Sequence, residues 1–262
     1  MAERLSGRTA LVTGSTSGIG RAIAEAFATE GAHIVVSGRR LEEGAKVVAG
    51  IRERGGTAEF VAADLAQGAE TITVLAAEAA VAAGGRIDIL VNNAGYIGEG
   101  GPSVDFTEDA IDTALATNIK APFLLTAALV PGMVGNGGGT VINIGSSNAI
   151  IGMPGYAMYG ATKAALHSLT TSWAAELGPL RVRVNTIAPG PTATEANEPN
   201  LDMMELLMAG VPSRRLSQAE EIAAAALFLA CDESANVHGA TISVDGGLTA
   251  ALWLRGAPPE IG

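Results

Sequence analysis

The chain alternates short runs of β-branched and other apolar residues with longer segments of helical periodicity, and this alternation continues along most of its length. Strands and helices in such regular succession predict a parallel sheet with helices on both faces. Several of the short runs are apolar throughout, as is typical of strands buried on both sides. The predicted strands are residues 9–13, 33–37, 58–62, 87–91, 140–144, 182–187 and 241–244, and the predicted helices are residues 21–30, 41–54, 69–83, 107–130, 156–177 and 220–230.

One segment breaks this alternation. Residues 189–217 contain four prolines and a short segment rich in Leu and Met. A long irregular insertion in a compact domain is usually functional, so we expect a substrate lid here. Because the chain has no Pro/Ser-rich linker, repeat or block of charge, residues 1–262 are predicted to form a single α/β domain.

Charge and cysteine content exclude several classes of function. A net charge of −11 disfavours binding to nucleic acids and to anionic membranes. The single cysteine, Cys231, excludes an internal disulfide and a cysteine-based metal cluster, and the three histidines are far apart, so no metal site is expected. The first residues lack the apolar stretch of a signal peptide, and no run of about 20 apolar residues lacks both Gly and charge. These features predict a cytoplasmic protein.

A glycine-rich turn follows the first predicted strand and leads into a helix: Gly14-Ser15-Thr16-Ser17-Gly18-Ile19-Gly20. The position between a strand and a helix is the context that a dinucleotide site requires. Gly14 permits the tight turn, Gly18 lets the backbone approach a pyrophosphate, and Gly20 lets helix and strand pack closely. The helix N-terminus then offers free N–H groups and a partial positive charge to the phosphates.

The end of the second strand predicts which dinucleotide binds. An acidic residue at this place would bind the adenosine ribose 2′-hydroxyl and select NAD. Here the strand ends in Gly38-Arg39-Arg40, which brings no carboxylate to repel a 2′-phosphate. Arg39 is able to pair with that phosphate, whereas Arg40 is expected to be a solvated surface residue. NADP(H) is therefore the predicted cofactor, with NAD as the alternative.

Tyr159 and Lys163 are four residues apart on a predicted helix, and this spacing places them on one face. A tyrosine with the usual pKa of about 10 is a poor base at neutral pH. An ammonium group about 5 Å away is worth about 3 kcal/mol at an effective dielectric constant of about 20, which is roughly two pKa units. We therefore expect Lys163 to lower the pKa of Tyr159 and make it a general acid and base.

Two further polar residues are candidates for the same site. Ser146 follows the predicted strand 140–144, and the carboxyl ends of such strands carry the ligand crevice, so its hydroxyl is placed to donate to a substrate carbonyl. Ser147 is the alternative. Asn118 is followed by Pro122, which has no N–H to bond the Asn118 carbonyl, so we expect the helix to kink there and free that carbonyl.

In order and spacing, these motifs resemble the short-chain dehydrogenase/reductase family in its single-domain form. The resemblance covers nearly the whole chain and rests on the glycine turn, Asn92-Asn93-Ala94-Gly95, Ser146, Tyr159, Lys163, Pro189-Gly190 and the ending Val244-Asp245-Gly246-Gly247. It implies a doubly wound, Rossmann-type sheet of about seven parallel strands flanked by helices. It also implies a homodimer or, as the first expectation, a homotetramer.

The resemblance further implies a set of cofactor contacts. Asp64 would contact the adenine amino group with Leu65 beside it, and the backbone of Asn92, Ala94 and Gly95 would line the ribose on the nicotinamide side. Lys163 would bond that ribose. In the lid, after Pro189 and Gly190, Thr192 and Thr194 would hold the carboxamide and the pyrophosphate.

The implied activity is a reversible transfer of hydride between a nicotinamide ring and a carbonyl or alcohol. Ser146 would stabilise the oxyanion, Tyr159 would exchange the proton, and Asn118 would hold a water in a relay that leads to Lys163. Two alternatives stay open: a non-catalytic NAD(P)-binding sensor with this fold and a glycine-loop methyltransferase. Tyr96, Met153, Tyr156 and the Met residues of the lid favour a hydrophobic small-molecule carbonyl or alcohol as substrate.

Overall fold

All seven predicted strands are present in a computed structural model that describes residues 3–250. They form one parallel sheet and are β1 (Thr9–Thr13), β2 (His33–Gly38), β3 (Thr57–Ala62), β4 (Ile89–Asn92), β5 (Gly139–Ile144), β6 (Val182–Pro189) and β9 (Thr241–Val244). The order across the sheet is β3-β2-β1-β4-β5-β6-β9. Two short strands of the lid, β7 (Thr192–Ala193) and β8 (Ser217–Gln218), pair with each other in parallel. The prediction of a doubly wound parallel sheet is confirmed.

Helices cover both faces of the sheet. They are α1 (Gly18–Thr29), α2 (Leu41–Glu53), α3 (Ala69–Ala82), α4 (Glu108–Leu115), α5 (Ala121–Gly135), α6 (Ala157–Leu177), α7 (Leu201–Met208) and α8 (Ala219–Ala230). One core cluster joins the sheet to α1, α2 and α8 through residues such as Phe27, Ile51 and Ile222. A second cluster joins the opposite face to α3, α5 and α6. The central strands are therefore buried on both sides, as their apolar sequences predict, whereas the edge strands β3 and β9 are partly exposed.

The strand order reverses direction between β1 and β4, which are neighbours in the sheet. From β1 the chain moves outward to β2 and β3, then returns to β4 and continues to β5 and β6 on the other side. The loops that follow β1 and β4 leave this point in opposite directions and open a crevice at the carboxyl ends of the strands. This crevice is where the candidate site residues meet.

The long helix predicted over residues 107–130 is divided in two. A π-helical turn, Ala116–Lys120, separates α4 from α5, and the Ala121 N–H donates to the Ala116 carbonyl, five residues back. Pro122 follows directly and has no N–H of its own. A kink that frees the Asn118 carbonyl was expected here, and the structure has a π turn at this place.

The combined stretch Glu108–Gly135 is long and apolar enough to cross a membrane by length and composition. No such run was expected from the sequence. Half of the most apolar window is buried inside the fold, where α5 packs in the same core cluster as α3 and the sheet. Burial within the protein accounts for this apolar composition.

The lid is more regular than its prolines predict. It contains β7, a 3-10 helix at Glu195–Asn200, α7 and β8. Met208 at the end of α7 is buried against Val211, Leu216 and Leu248, and this small core holds the lid to the rest of the domain. The sequence also has an apolar tail with Leu252, Trp253 and Leu254, which we predict to pack on a neighbouring subunit; these three residues lie outside the described part of the chain.

Candidate active site

The glycine turn and the loop after β4 are fastened directly together. The Asn93 side chain donates to the carbonyl oxygens of Thr13 (2.8 Å) and Gly14 (3.1 Å). The Thr13 hydroxyl accepts from the Asn93 N–H (3.0 Å) and the Ala94 N–H (3.1 Å). The turn at the start of α1 is thus held from its carbonyl side by the loop after β4.

Two glycines of this turn have no room for a side chain. Gly14 has φ +63°, in the left-handed region, and a Cβ added there would lie 2.8 Å from the Ala94 Cα. A Cβ on Gly20 would overlap the Asn93 amide nitrogen and the Gly14 carbonyl oxygen. The cradle that the sequence predicts for a pyrophosphate is therefore built by close backbone packing, as a dinucleotide site requires.

The polar residues of the turn are held by their neighbours. The Ser15 hydroxyl donates to the Val12 carbonyl (2.6 Å) and accepts from the Ser37 N–H (3.1 Å), which ties the turn to β2. The Arg40 guanidinium donates to the hydroxyls of Thr16 (3.1 Å) and Ser17 (2.5 Å). Arg40 is exposed, as expected of a surface residue, and it also braces the turn. Arg39 is exposed at the same edge.

A glutamate of the lid occupies the start of α1. The Glu195 carboxylate accepts from the Gly18 N–H at 3.1 Å and forms an ion pair with Arg21 at 2.5 Å. The bond from its own backbone N–H and the nearby Arg21 hold the pKa of this carboxyl below its usual range, so it is an anion at neutral pH. Thr194, beside it, lies within about 3.3 Å of a Cβ built on Gly18. The carboxylate stands where the sequence predicts a phosphate.

The other residues implied for cofactor contacts follow β3, β4 and β6, at the carboxyl ends of these strands. Asp64 and Leu65 follow β3, and the Asp64 carboxylate caps a short helical turn by accepting from the Ala66 N–H at 3.2 Å. Leu65 is buried. Asn92 ends β4, and its side chain donates to Asn143 of β5 at 2.9 Å. Pro189 ends β6, and the Thr192 hydroxyl donates to the Gly190 carbonyl at 2.8 Å.

Tyr159 and Lys163 lie on the inner face of α6, beside the end of β5. The Lys163 amine lies 5.8 Å from the centre of the Tyr159 ring and donates to the Ile144 carbonyl at 2.7 Å. The lysine side chain is buried, and this burial lowers the pKa of Lys163 to about 8. The predicted neighbours therefore meet at the crevice, with the lysine anchored to the strand that carries Ser146.

The effect on the tyrosine differs from the prediction. Burial raises the pKa of Tyr159 above its ordinary value, and the Ser146 hydroxyl nearby acts in the opposite direction. The expected lowering by Lys163 is not found, because the cost of desolvating a phenolate exceeds the opposing effect of the Ser146 hydroxyl on this pKa. In the protein alone, Tyr159 is a phenol at neutral pH.

Ser146 directly follows β5 and Gly145. Its hydroxyl accepts from the Asn148 N–H at 3.1 Å, while Ser147 is buried in the next turn. The Ser146 N–H donates to Nε2 of His167 at 3.4 Å. Burial, with the nearby charge of Lys163, lowers the pKa of His167 to about 4, so the imidazole is neutral and free to accept.

Asn118 is fully buried in the π turn and bonds the loop after β4. Its side-chain oxygen accepts from the Tyr96 N–H (2.7 Å), and its amide donates to the Tyr96 carbonyl (2.8 Å) and to the Thr162 hydroxyl (2.9 Å). A Cβ built on Gly95 would lie 3.4 Å from the Lys163 amine and 3.6 Å from the Asn118 side-chain oxygen. Asn118 and Lys163 thus flank the same glycine.

A cavity of 520 Å³ lies beside this cluster, between the loop after β5 and the first turns of α6. It includes Met153 and Tyr156, two of the residues considered for substrate contact, but none of the four predicted catalytic residues. Tyr156 also packs near Gly100, 3.3 Å from a Cβ built there. The apolar residues singled out in the sequence therefore surround the candidate site without forming one closed pocket.

Sequence reasoning missed four residues that shape the site: Asn93, Arg40, Glu195 and His167. Asn93 lies inside the motif Asn92-Asn93-Ala94-Gly95, so its side-chain amide was a visible candidate for a hydrogen bond to the glycine turn. Glu195 was one acidic residue in a loop, and His167 one position in a long helix. Neither carried a pattern, since each acts on a residue that only folding brings near.

The arrangement joins a cradle for an anionic dinucleotide to a phenol, a serine hydroxyl and a buried amine. The phenol and the serine hydroxyl are proton donors at one point of the crevice, where a substrate oxygen is able to receive both. The amine is held under the phenol ring by a strand carbonyl. Such a site is able to exchange a proton with a substrate oxygen next to a bound dinucleotide.

Comparison with known proteins agrees with this arrangement. A sequence profile for a family described as enoyl-(acyl carrier protein) reductase matches residues 14–249. A 2,5-dichloro-2,5-cyclohexadiene-1,4-diol dehydrogenase from Sphingobium indicum is 40% identical over 252 residues, which cover 94% of this chain and 98% of that protein.

Solved structures share the fold at similar identity. A 7α-hydroxysteroid dehydrogenase complexed with NADH and 7-oxoglycochenodeoxycholic acid is 36% identical, with a TM-score of 0.89 over 94% of this chain and 96% of that chain. A structure from Agrobacterium tumefaciens, described as a candidate 2-deoxy-D-gluconate 3-dehydrogenase, has NADP bound; it is 34% identical, with a TM-score of 0.86 over 95% of this chain and 99% of that chain.

Proposed function

Because this chain belongs to the short-chain dehydrogenase/reductase family of oxidoreductases, we propose that it reduces a carbonyl group, or oxidises the corresponding alcohol, with Tyr159 as its acid and base. The observation that carries the proposal is the convergence of Tyr159, Lys163 and Ser146 at the end of β5. This point lies beside the crevice that the glycine turn and the loop after β4 enclose.

The residues present fit a nicotinamide dinucleotide. The turn of Gly14, Gly18 and Gly20 supplies N–H groups at the start of α1, and the close approach at Gly14 and Gly20 leaves no side chain in the way. Asp64 and Arg39 are at the adenosine end, and Gly95 lies next to Lys163 at the other end. When bound, the nicotinamide supplies the hydride for reduction or accepts it in oxidation.

The residues around the reacting oxygen stabilise its charge and transfer its proton. In reduction, the Ser146 hydroxyl stabilises the negative charge that develops on the substrate oxygen, and Tyr159 gives that oxygen its proton. The raised pKa of Tyr159 keeps the phenol protonated at neutral pH, which suits the reductive direction. Lys163 stabilises the phenolate that is left, and its burial keeps water away from the pair. For oxidation Tyr159 must first lose its proton, so that direction is favoured by rising pH.

The test is turnover with a panel of carbonyls and alcohols, supplied with NADPH, NADH and both oxidised cofactors. We expect oxidation or reduction of at least one compound. The reaction is monitored by the absorbance that distinguishes the reduced nicotinamide ring from the oxidised one. The panel includes cyclic ketones, aldehydes, secondary alcohols and sugar acids. Cofactor binding without turnover of any compound would instead support the non-catalytic sensor.

A hydrophobic substrate is the more specific proposal. Tyr96, Met153 and Tyr156 surround the candidate site, and the lid exposes Met203 and Leu206 on α7. Two similar proteins are a dehydrogenase of a chlorinated cyclic diol and a hydroxysteroid dehydrogenase. We therefore expect cyclic apolar ketones and secondary alcohols to have higher kcat/KM than sugar acids in the panel.

Arg39 and Arg40 give a prediction about cofactor choice. Both cofactors occur in the similar structures, NADH in one and NADP in the other. Replacing the exposed Arg39 by Ala is expected to weaken NADPH binding about tenfold and to leave NADH binding unchanged, since only the 2′-phosphate is lost as a partner. Arg40→Ala is the matched control: Arg40 braces Thr16 and Ser17, so both cofactors should bind equally more weakly. Fluorescence titration measures the four dissociation constants. Equal losses in Arg39→Ala would contradict the choice of NADP(H).

A substitution of Glu195 is expected to tighten cofactor binding, whereas the substitutions of Arg39 and Arg40 weaken it. Its carboxylate holds the Gly18 N–H and Arg21, so a pyrophosphate must displace a charged group to reach the turn. Glu195→Gln removes the competing charge and frees Arg21, and we expect both cofactors to bind about fivefold more tightly, the worth of about 1 kcal/mol. Glu198→Gln, in the same 3-10 helix but without these contacts, should leave the dissociation constants unchanged. Weaker binding in Glu195→Gln would mean that the carboxylate helps to close the lid over the cofactor.

A further inference from the structure

We propose that His167 is a positioning residue that fixes the catalytic serine: its imidazole Nε2 accepts the Ser146 N–H and so holds the end of β5 against α6. The inference rests on the proposed function for the role of Ser146, and it adds a residue that the motifs of this chain do not include. His167 touches the serine backbone, and it acts on the reacting oxygen only through Ser146.

The first support is that one face of α6 contacts both Ile144, the last residue of β5, and Ser146, two residues further along the chain. Tyr159, Lys163 and His167 follow each other at intervals of four residues, which stacks them along one side of the helix. Lys163 bonds the Ile144 carbonyl at 2.7 Å, and His167 accepts the Ser146 N–H at 3.4 Å. Tyr159 lies beside the Ser146 side chain. The two backbone bonds fix the strand end on either side of Gly145.

The second support is the glycine between these two bonds. A Cβ on Gly145 would overlap Nε2 and Cδ2 of His167. Gly145 does not have a positive φ, so the backbone conformation does not require glycine at this place. Space for the imidazole does require it. His167 therefore packs directly against Gly145, and this close packing brings Nε2 within hydrogen-bond distance of the Ser146 N–H.

The third support is the protonation of the ring. A ring nitrogen that accepts from an N–H must carry no proton. In an imidazolium ion both nitrogens are protonated, so neither is able to accept. Burial and the charge of Lys163 disfavour that ion and lower the pKa of His167 to about 4. At neutral pH Nε2 is thus the acceptor, and the ring proton is on Nδ1. The lysine that supports Tyr159 also keeps His167 in the form that holds Ser146.

Two substitutions of His167 separate the effect of losing the hydrogen-bond acceptor from the effect of losing the volume of the ring. In His167→Gln the side-chain oxygen reaches the place of Nε2 and still accepts the Ser146 N–H, whereas His167→Leu fills the space without an acceptor. We expect His167→Leu to lower kcat on the order of tenfold, with the substrate KM and the cofactor dissociation constant unchanged within about twofold. His167→Gln should restore kcat to within about threefold of the wild type.

Hydrogen exchange at the Ser146 amide gives a readout that does not depend on turnover. The amide should exchange faster in His167→Leu than in the wild type, and at nearly the wild-type rate in His167→Gln. Should His167→Leu fail to fold, His167→Asn, which is polar but too short to reach Ser146, takes its place. His238→Leu, an exposed histidine at a distance from the site, is the control and should change neither quantity.

The outcomes distinguish the two proposals. If His167→Gln loses as much kcat and amide protection as His167→Leu, the acceptor has no positioning role and the inference is wrong. The same conclusion follows if His167→Leu keeps both at the wild-type level. If the wild type turns over no compound of the panel, the proposed function fails, and amide exchange still decides whether His167 holds Ser146.

Discussion

Tyr159→Phe is expected to lower kcat by about 10²- to 10⁴-fold, the usual contribution of a positioned general acid or base. The substitution removes one oxygen and keeps the ring that lies 5.8 Å from the Lys163 amine. Without the phenol the substrate oxygen has Ser146 as its partner but no proton to receive. The measurement is single-turnover kinetics with the compound identified in the panel, in both reaction directions.

Binding and stability separate this loss from a structural effect. The cofactor dissociation constant should stay within about twofold, since the phenol oxygen contributes to the proton transfer and the glycine turn holds the dinucleotide. Tyr156→Phe is the comparison, because it removes the same atom from a tyrosine three positions earlier that lines the cavity beside the site, where a change is expected in KM and not in proton transfer. That variant should keep its kcat within a small factor. If the two variants were equally active, Tyr159 would not be the acid and base.

Gly20→Ala is expected to destabilise the fold by about 1–3 kcal/mol and to abolish most cofactor binding. The added methyl group would overlap the Asn93 amide and the Gly14 carbonyl oxygen, and the latter is backbone that cannot rotate away. Relief requires the turn to move off the loop after β4, which opens the cradle. Urea unfolding measures the stability, and fluorescence titration measures binding of the cofactor.

Gly132→Ala is the matched control for this substitution. Gly132 lies inside α5, and a Cβ there would have no atom within 4 Å. Alanine is about 1 kcal/mol more favourable than glycine in a helix interior, so this variant should be more stable than the wild type. The same chemical change is thus expected to have opposite signs at the two positions. A tolerated alanine at Gly20 would show that the turn is not closely packed.

The sequence was sufficient for features that depend on neighbours along the chain. Short apolar runs between segments of helical period located every strand of the sheet, since strands buried on both faces are continuously apolar and a helix buried on one face repeats every 3.6 residues. The spacing of Tyr159 and Lys163 placed them on one helix face, and the glycines after β1 marked a turn that only glycine permits. Pro122 marked the irregular turn at Asn118, because a proline lacks an N–H wherever it stands.

Tertiary structure alone decided which distant groups meet and how much water surrounds them. Glu195 reaches Gly18 across 177 residues of sequence, and the side chain of Asn93 holds the turn after β1 across 79. The pKa of Tyr159 changed in the direction opposite to the one expected from its lysine neighbour, because desolvation depends on every group packed around a charge. Periodicity and turn chemistry are local, so they are readable in the chain. Proximity and burial are properties of the folded molecule, and they determine what these same residues are able to do.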